Sequence, residues 1–125
     1  MYVSKKSMWN NGEKVHLSHL LGKVPANKWD WYLYEIEGVG IAPQGMSMPD
    51  FEQRVLSSDT GFKLSWDEIN HFSISLSDIK NCFLVALLKP VKYSALENGD
   101  LSNCLALITI SDSTSWEVKL MEDNC

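Results

Sequence analysis

Two uninterrupted apolar runs of strand length, Cys82-Phe-Leu-Val-Ala-Leu-Leu88 and Cys104-Leu-Ala-Leu-Ile-Thr-Ile110, constrain the fold of this chain more than any other feature. A run of this length, rich in branched side chains and bounded by turn formers, fits a strand covered on both faces. Pro90 closes the first run, and Asn98-Gly99-Asp100 is a turn sequence between the two. Asp112-Ser-Thr114 makes a tight turn after the second run. Trp116, Val118 and Leu120 then alternate with Glu117, Lys119 and Met121, as a half-exposed strand requires. Three consecutive strands joined by short polar connections form an antiparallel meander.

The upstream half supplies further strands and the helices. Trp31-Tyr-Leu-Tyr-Glu-Ile-Glu37 is rich in aromatic and β-favouring residues, and Gly38 and Gly40 end or bulge it. Phe62-Lys-Leu64 is a short strand or an extended link. Between these strands, Ser47-Met-Pro-Asp50 opens a helix, with the serine hydroxyl placed to accept from the amide of Asp50 and Pro49 tolerated in the first turn. That helix presents Phe51 and Val55 on one face and ends near Ser58. Ser65-Trp-Asp-Glu68 has the spacing of a capping box and starts a second helix carrying Ile69 and Phe72. Nearer the N-terminus, Val15, Leu17, Leu20 and Leu21 form a short helical segment or an extended edge, stopped by Gly22 and Pro25. The expected fold is α+β: a mainly antiparallel sheet of about four to five strands with two or three helices packed on one face. A chain of 125 residues with 45% apolar side chains fills one domain, residues 1–125, without metal or disulfide staples. Residues 1–27 form a basic, less regular segment packed on or flanking it.

Charge is unevenly distributed. Met1 to Lys28 holds five Lys and one Glu, a net of +4, whereas Trp29 to Cys125 holds six basic and fifteen acidic residues, a net of −9. The plainest use of such a surplus is solubility. An acidic body also repels phosphate backbones, which argues against a nucleic-acid partner, and attracts a basic one. Of the three cysteines, Cys82 and Cys104 lie in apolar runs and read as buried small hydrophobes, and Cys125 is terminal. An odd count without paired spacing suits a reducing compartment. No N-terminal stretch resembles a signal peptide and the longest apolar run is far short of a membrane span, so a cytoplasmic location is expected.

The residues hold no recognisable catalytic set, so no enzyme activity and no cofactor are expected. His16 and His19 are three apart, but two donors without a carboxylate at a useful spacing do not make a zinc site. His71 is one helix residue. No nucleophile elbow, phosphate loop or dinucleotide fingerprint occurs. Glu35 and Glu37 share one side of a strand, as acid–base carboxylates could, but also as a solvent-facing or partner-facing strand would. Asp67 and Glu68 serve first as capping acids and second, with Asp50, Glu52 and Asp59, as an anionic patch.

The stretch from Phe51 to Leu88 resembles a known group. Phe51-Glu52 on a helix leads to Gly61-Phe-Lys-Leu-Ser-Trp-Asp-Glu-Ile69, then Phe72, Asp78-Ile79 and a hydrophobic strand. This arrangement is similar to the immunity proteins of bacterial contact-dependent growth inhibition and related polymorphic-toxin systems. The resemblance covers about a third of the chain. It implies a small, acidic, non-enzymatic cytoplasmic protein, monomeric or homodimeric, that occludes the active site of a cognate toxin domain, often a basic nuclease. Joined to the acidic body and the missing catalytic set, it suggests a toxin-binding protein whose candidate contacts are Glu35, Glu37, Asp50, Glu52, Asp59, Asp67 and Glu68, with Trp66 as an anchor. Two alternatives stand beside it: a small ligand-binding domain or enzyme with a pocket between sheet and helices, and a homodimeric structural or adaptor protein joined through a strand edge.

Overall fold

The computed structural model describes residues 2–7, 9–10, 13–14, 16–112 and 115–121, with side chains described from His16 onward. The expected turn at Asp112-Ser-Thr114 lies partly, and Val15 and Cys125 wholly, outside the described residues. Six strands build one antiparallel sheet in the order β1 (Tyr2–Ser7), β8 (Ser115–Leu120), β7 (Cys104–Ser111), β6 (Asp78–Leu87), β4 (Asp30–Val39), β5 (Phe62–Ser65). β6, β7 and β8 are the meander that the apolar runs predict. The five strands from β4 to β8 match the expected sheet, and β1 adds a sixth along β8. β2 (Trp9–Asn10) and β3 (Glu13–Lys14) pair separately.

Three helices cover one face: α1 (Leu17–Leu21), α2 (Met48–Leu56) and α3 (Trp66–Ser75). Their apolar stripes meet the inward residues of the sheet in one continuous core. Phe51 lies at its centre, fully buried, with its ring 5.2 Å from those of both Phe62 and Phe72, edge-on to each. Both expected caps form. Ser47 Oγ accepts from the Asp50 amide at 3.3 Å. Ser65 Oγ accepts from Glu68 N–H at 3.1 Å, while Glu68 Oε1 accepts from Ser65 N–H at 2.9 Å.

The opposite face is half covered. The segment after β6 crosses it, forms the short helix α4 (Tyr93–Glu97), and buries Leu96 with Tyr32, Tyr34, Val85, Leu87, Cys104 and Leu107. This second core explains why the apolar run in β6 needs no alternation. Leu84 and Ala86 face the helices while Val85 and Leu87 face α4. The Asn98-Gly99-Asp100 sequence follows α4 directly, with Gly99 at φ 86°.

Two register shifts in β4–β6 decide where the strand's charges point. Strict alternation from Trp31 would send Glu35 into the helix-side core and Ile36 outward. A bulge between Leu33 and Glu35 instead leaves Tyr34 and Glu35 both on the side of Phe83 and returns Ile36 to the core opposite Cys82. A second shift sets Glu37 opposite Asn81 but Gly38 opposite Ile79. Lys80, the extra residue, is exposed.

Candidate partner-binding surface

The carboxylates singled out from sequence divide between the two faces of the sheet. Glu35 and Glu37 do point the same way, but toward the face opposite α1, α2 and α3. Glu37 is occupied there: Asn81 Nδ2 donates to its Oε1 at 2.9 Å, and Lys80 Nζ stands 3.9 Å from its Oε2. Glu35 lies exposed beside a cluster formed by the rings of Tyr34, Phe83 and Tyr93, with centroids 5.6–5.9 Å apart. Burial, with a smaller contribution from Tyr32, pushes the Tyr34 phenol up to about 12, and its hydroxyl donates to the Val91 carbonyl. Asp59 sits in the α2–β5 loop, where its carbonyl accepts from Tyr93 N–H at 2.8 Å and ties that loop to α4.

Asp50, Glu52, Trp66, Asp67 and Glu68 belong to the helix layer. α2 and α3 together contain four carboxylates and one cationic side chain, Arg54. Asp50, Asp67 and Glu68 are exposed, and no cation lies within ion-pair distance of them among the described residues. Glu52 is different. Its Oε2 accepts from Gly38 N–H at 3.0 Å, in the half of β4 that β5 does not reach. Its carboxylate therefore holds α2 to the strand. Trp66 is also committed to the fold: it is half-buried and stacks on the fully buried Trp31 at 5.5 Å and 29°. Trp31 in turn donates from Nε1 to Asn27 Oδ1 at 3.1 Å. Trp66 thus braces α3 against the core and shows only part of its ring.

Sequence reasoning missed the feature that gives this acidic layer a shape. After β4 the chain turns through Pro43, Gln44 and Gly45, the last two left-handed at φ 58° and 73°, with Met46 N–H bonded to the Pro43 carbonyl at 3.3 Å. This loop leans on the second half of α3. Gly40 makes the approach possible: a Cβ there would stand 2.9 Å from Leu76 Cα and from the Ser75 carbonyl. Ser75 Oγ accepts from Ile41 N–H at 3.2 Å and lies 2.9 Å from the Ile41 carbonyl, and Ser77 N–H donates to the Val39 carbonyl at 2.8 Å. Between loop and helix lies a cleft of about 330 Å³, walled by residues 41–44 and by Glu68, His71, Phe72 and Ser75. Those four positions follow the i, i+3, i+4, i+7 spacing of one helix face. Two large aliphatic side chains stand nearby in solvent, Ile41 at 76% and Ile74 at 77% exposure. The signal was present in sequence as Ile41 beside two glycines and Ile74 off the apolar stripe of α3, but only the loop's return brings the two ends together.

The histidines and cysteines fall elsewhere. His19 Nδ1 accepts from His16 N–H at 3.3 Å, at the start of α1. Among the described residues no three His, Cys, Asp or Glu side chains group as metal ligands. Cys82 and Cys104 are buried; burial pushes the Cys82 thiol far up and that of Cys104 to about 11, which keeps both from acting as thiolates near neutrality. No helix among the described residues is long and apolar enough to cross a membrane. Comparison with protein-family models, with curated proteins and with solved structures gives no match.

Proposed function

We propose that this protein works by binding, as an immunity protein that occupies the basic active-site cleft of a cognate toxin domain through its α2–α3 face. One observation carries the reading. That layer joins the acidic surplus of the chain to exposed aliphatic side chains: Asp50, Asp67 and Glu68 are exposed with no cation at ion-pair distance among the described residues, Glu68 lines the cleft with Ile41, and Ile74 stands exposed on α3. Apolar anchors inside a polar rim are the composition of a protein interface, where a few buried side chains supply most of the affinity. Unpaired carboxylates add encounter rate and partner choice when the opposing surface is basic.

Within this reading the predicted contacts take different parts. Asp50, Asp67 and Glu68 meet the partner. Glu52 and Trp66 hold the face in shape. Glu35, Glu37 and Asp59, near or on the other side of the sheet, lie outside a single footprint centred on α3. Inhibition is by occlusion, so the protein itself performs no chemistry on the toxin and binds no cofactor in doing so.

The test is co-expression with the toxin domain encoded beside this gene, in a cytoplasm where that domain alone arrests growth. Rescue of growth together with co-purification of the pair is the expected result. A pair that neither rescues nor co-purifies overturns the proposal.

A further inference from the structure

We infer that the cleft between residues 41–44 and α3 is a socket for an arginine side chain of the partner, with aliphatic neighbours of that arginine resting on Ile41 and Ile74. This rests on the binding reading above and deepens it by naming the chemistry of the anchor. The cleft holds about 330 Å³. At roughly 30 Å³ per liquid water that is space for about eleven waters, far more than one ion and enough for a long side chain. Its walls are of two kinds. Ile41 and Pro43 offer apolar surface suited to a methylene stem, with the buried Ala42 and Phe72 beneath them. Glu68 supplies the charge. One of its oxygens is held by Ser65 N–H at 2.9 Å, so the carboxylate is fixed in position, and the other has no protein partner among the described residues.

Arginine fits these walls better than lysine. Its guanidinium is planar and weakly hydrated, lies flat on apolar surface, and still donates along its edge to a carboxylate. A compact ammonium would have to shed tightly held water to enter the same space. The Gln44 side chain, also lining the cleft, offers a further acceptor for a donor-rich group. Charge complementarity excludes the converse occupant, since an acidic side chain would face Glu68 with Asp67 on the preceding position.

The experiment uses the full-length ¹⁵N-labelled protein and two defined probes. Acetyl-Leu-Arg-Leu-amide is titrated against its citrulline counterpart, which keeps the shape and removes the charge. Chemical-shift changes confined to residues 41–44 and 68–75, with citrulline at least tenfold weaker, are expected. Glu68→Gln, which keeps the N3 acceptor of the capping box, and Ile74→Ser, which removes an exposed aliphatic side chain without adding charge, should each weaken the arginine peptide about tenfold. Shifts centred on Glu35 and Glu37, or equal binding of the two peptides, overturn the inference; this arm uses only the unaltered protein and so does not depend on how the variants fold. The two proposals fail separately. Growth rescue that survives both substitutions, with no shift at the cleft, removes the socket and leaves the immunity reading. A cleft that selects arginine in a protein that rescues nothing removes the immunity reading and leaves the socket.

Discussion

Gly40→Ala tests the packing that creates the cleft. Gly40 does not occupy the left-handed region, so the substitution acts through contact and not through backbone strain. A Cβ would meet Leu76 Cα and the Ser75 carbonyl oxygen at 2.9 Å, and Leu76 Cδ2 at 3.0 Å. Two of these three atoms are backbone and cannot rotate aside, so the loop and the end of α3 must part. Overpacking of this kind costs about 1–3 kcal/mol. Separation also weakens the Ile41–Ser75 pairing, at roughly 1 kcal/mol per hydrogen bond. A loss of about 2–3 kcal/mol is expected, a large part of the roughly 5–15 kcal/mol that holds a domain folded. Urea unfolding followed by tryptophan fluorescence measures it. With a slope of about 1–3 kcal/mol/M the midpoint should fall by about 0.7–3 M. Gly99→Ala is the companion variant: Gly99 is left-handed at φ 86°, with nothing within 4 Å of the added Cβ, so it reports strain alone at about 1 kcal/mol. A Gly40→Ala midpoint shift no larger than that of Gly99→Ala would refute the close approach of loop and helix.

Phe51→Ala should cost about 3–5 kcal/mol, because a fully buried ring with two edge-on partners leaves a cavity that Phe62 and Phe72 cannot close; the same urea titration reads it. Ser65→Ala removes the α3 cap and should cost about 1 kcal/mol, whereas Ser65→Asp should restore most of it. For Tyr34 the folded phenol is raised from 10.0 to about 12, so the unfolded chain loses its proton first and this contribution to stability is full below pH 10 and falls as pH rises toward 12. Denaturation midpoints across that range, with Tyr34→Phe as the reference, check the sign; a midpoint difference between the two proteins that does not change with pH would contradict it. Cys82 and Cys104 should react with a thiol reagent at neutral pH only as fast as the protein unfolds, and fast labelling of either one would contradict their burial.

The elements legible in the sequence were those whose local signals agree with their surroundings. Ser47 and Ser65 mark their helices because a cap acts within one turn. The Cys82 and Cys104 runs mark central strands because both faces are covered. Other features depend on distant partners. Nothing local in Tyr2–Ser7 states that it pairs with β8. The Trp31–Glu37 stretch suggests a strand, but the bulge that turns Tyr34 and Glu35 to one side is set by its register with β6. α4 hides behind a turn sequence because five residues carry little periodicity. The acidic set was visible as composition, and its division between two faces was not. Glu52 looks the same as Asp50 in sequence. It differs only because Gly38, fourteen residues earlier, presents an amide to it. Ile41 and Ser75 lie thirty-four positions apart, and the loop's return to α3 is what places them around one cleft.

On the proposal above, the α2–α3 face neutralises a basic toxin domain by covering its active site. Titrating the purified toxin domain's activity with this protein tests it most directly. Loss of activity that reaches completion at one protein per toxin domain is expected, with Glu68→Gln and Ile74→Ser shifting the curve and Glu35→Gln leaving it in place. Full activity at a several-fold excess of the unaltered protein would contradict it.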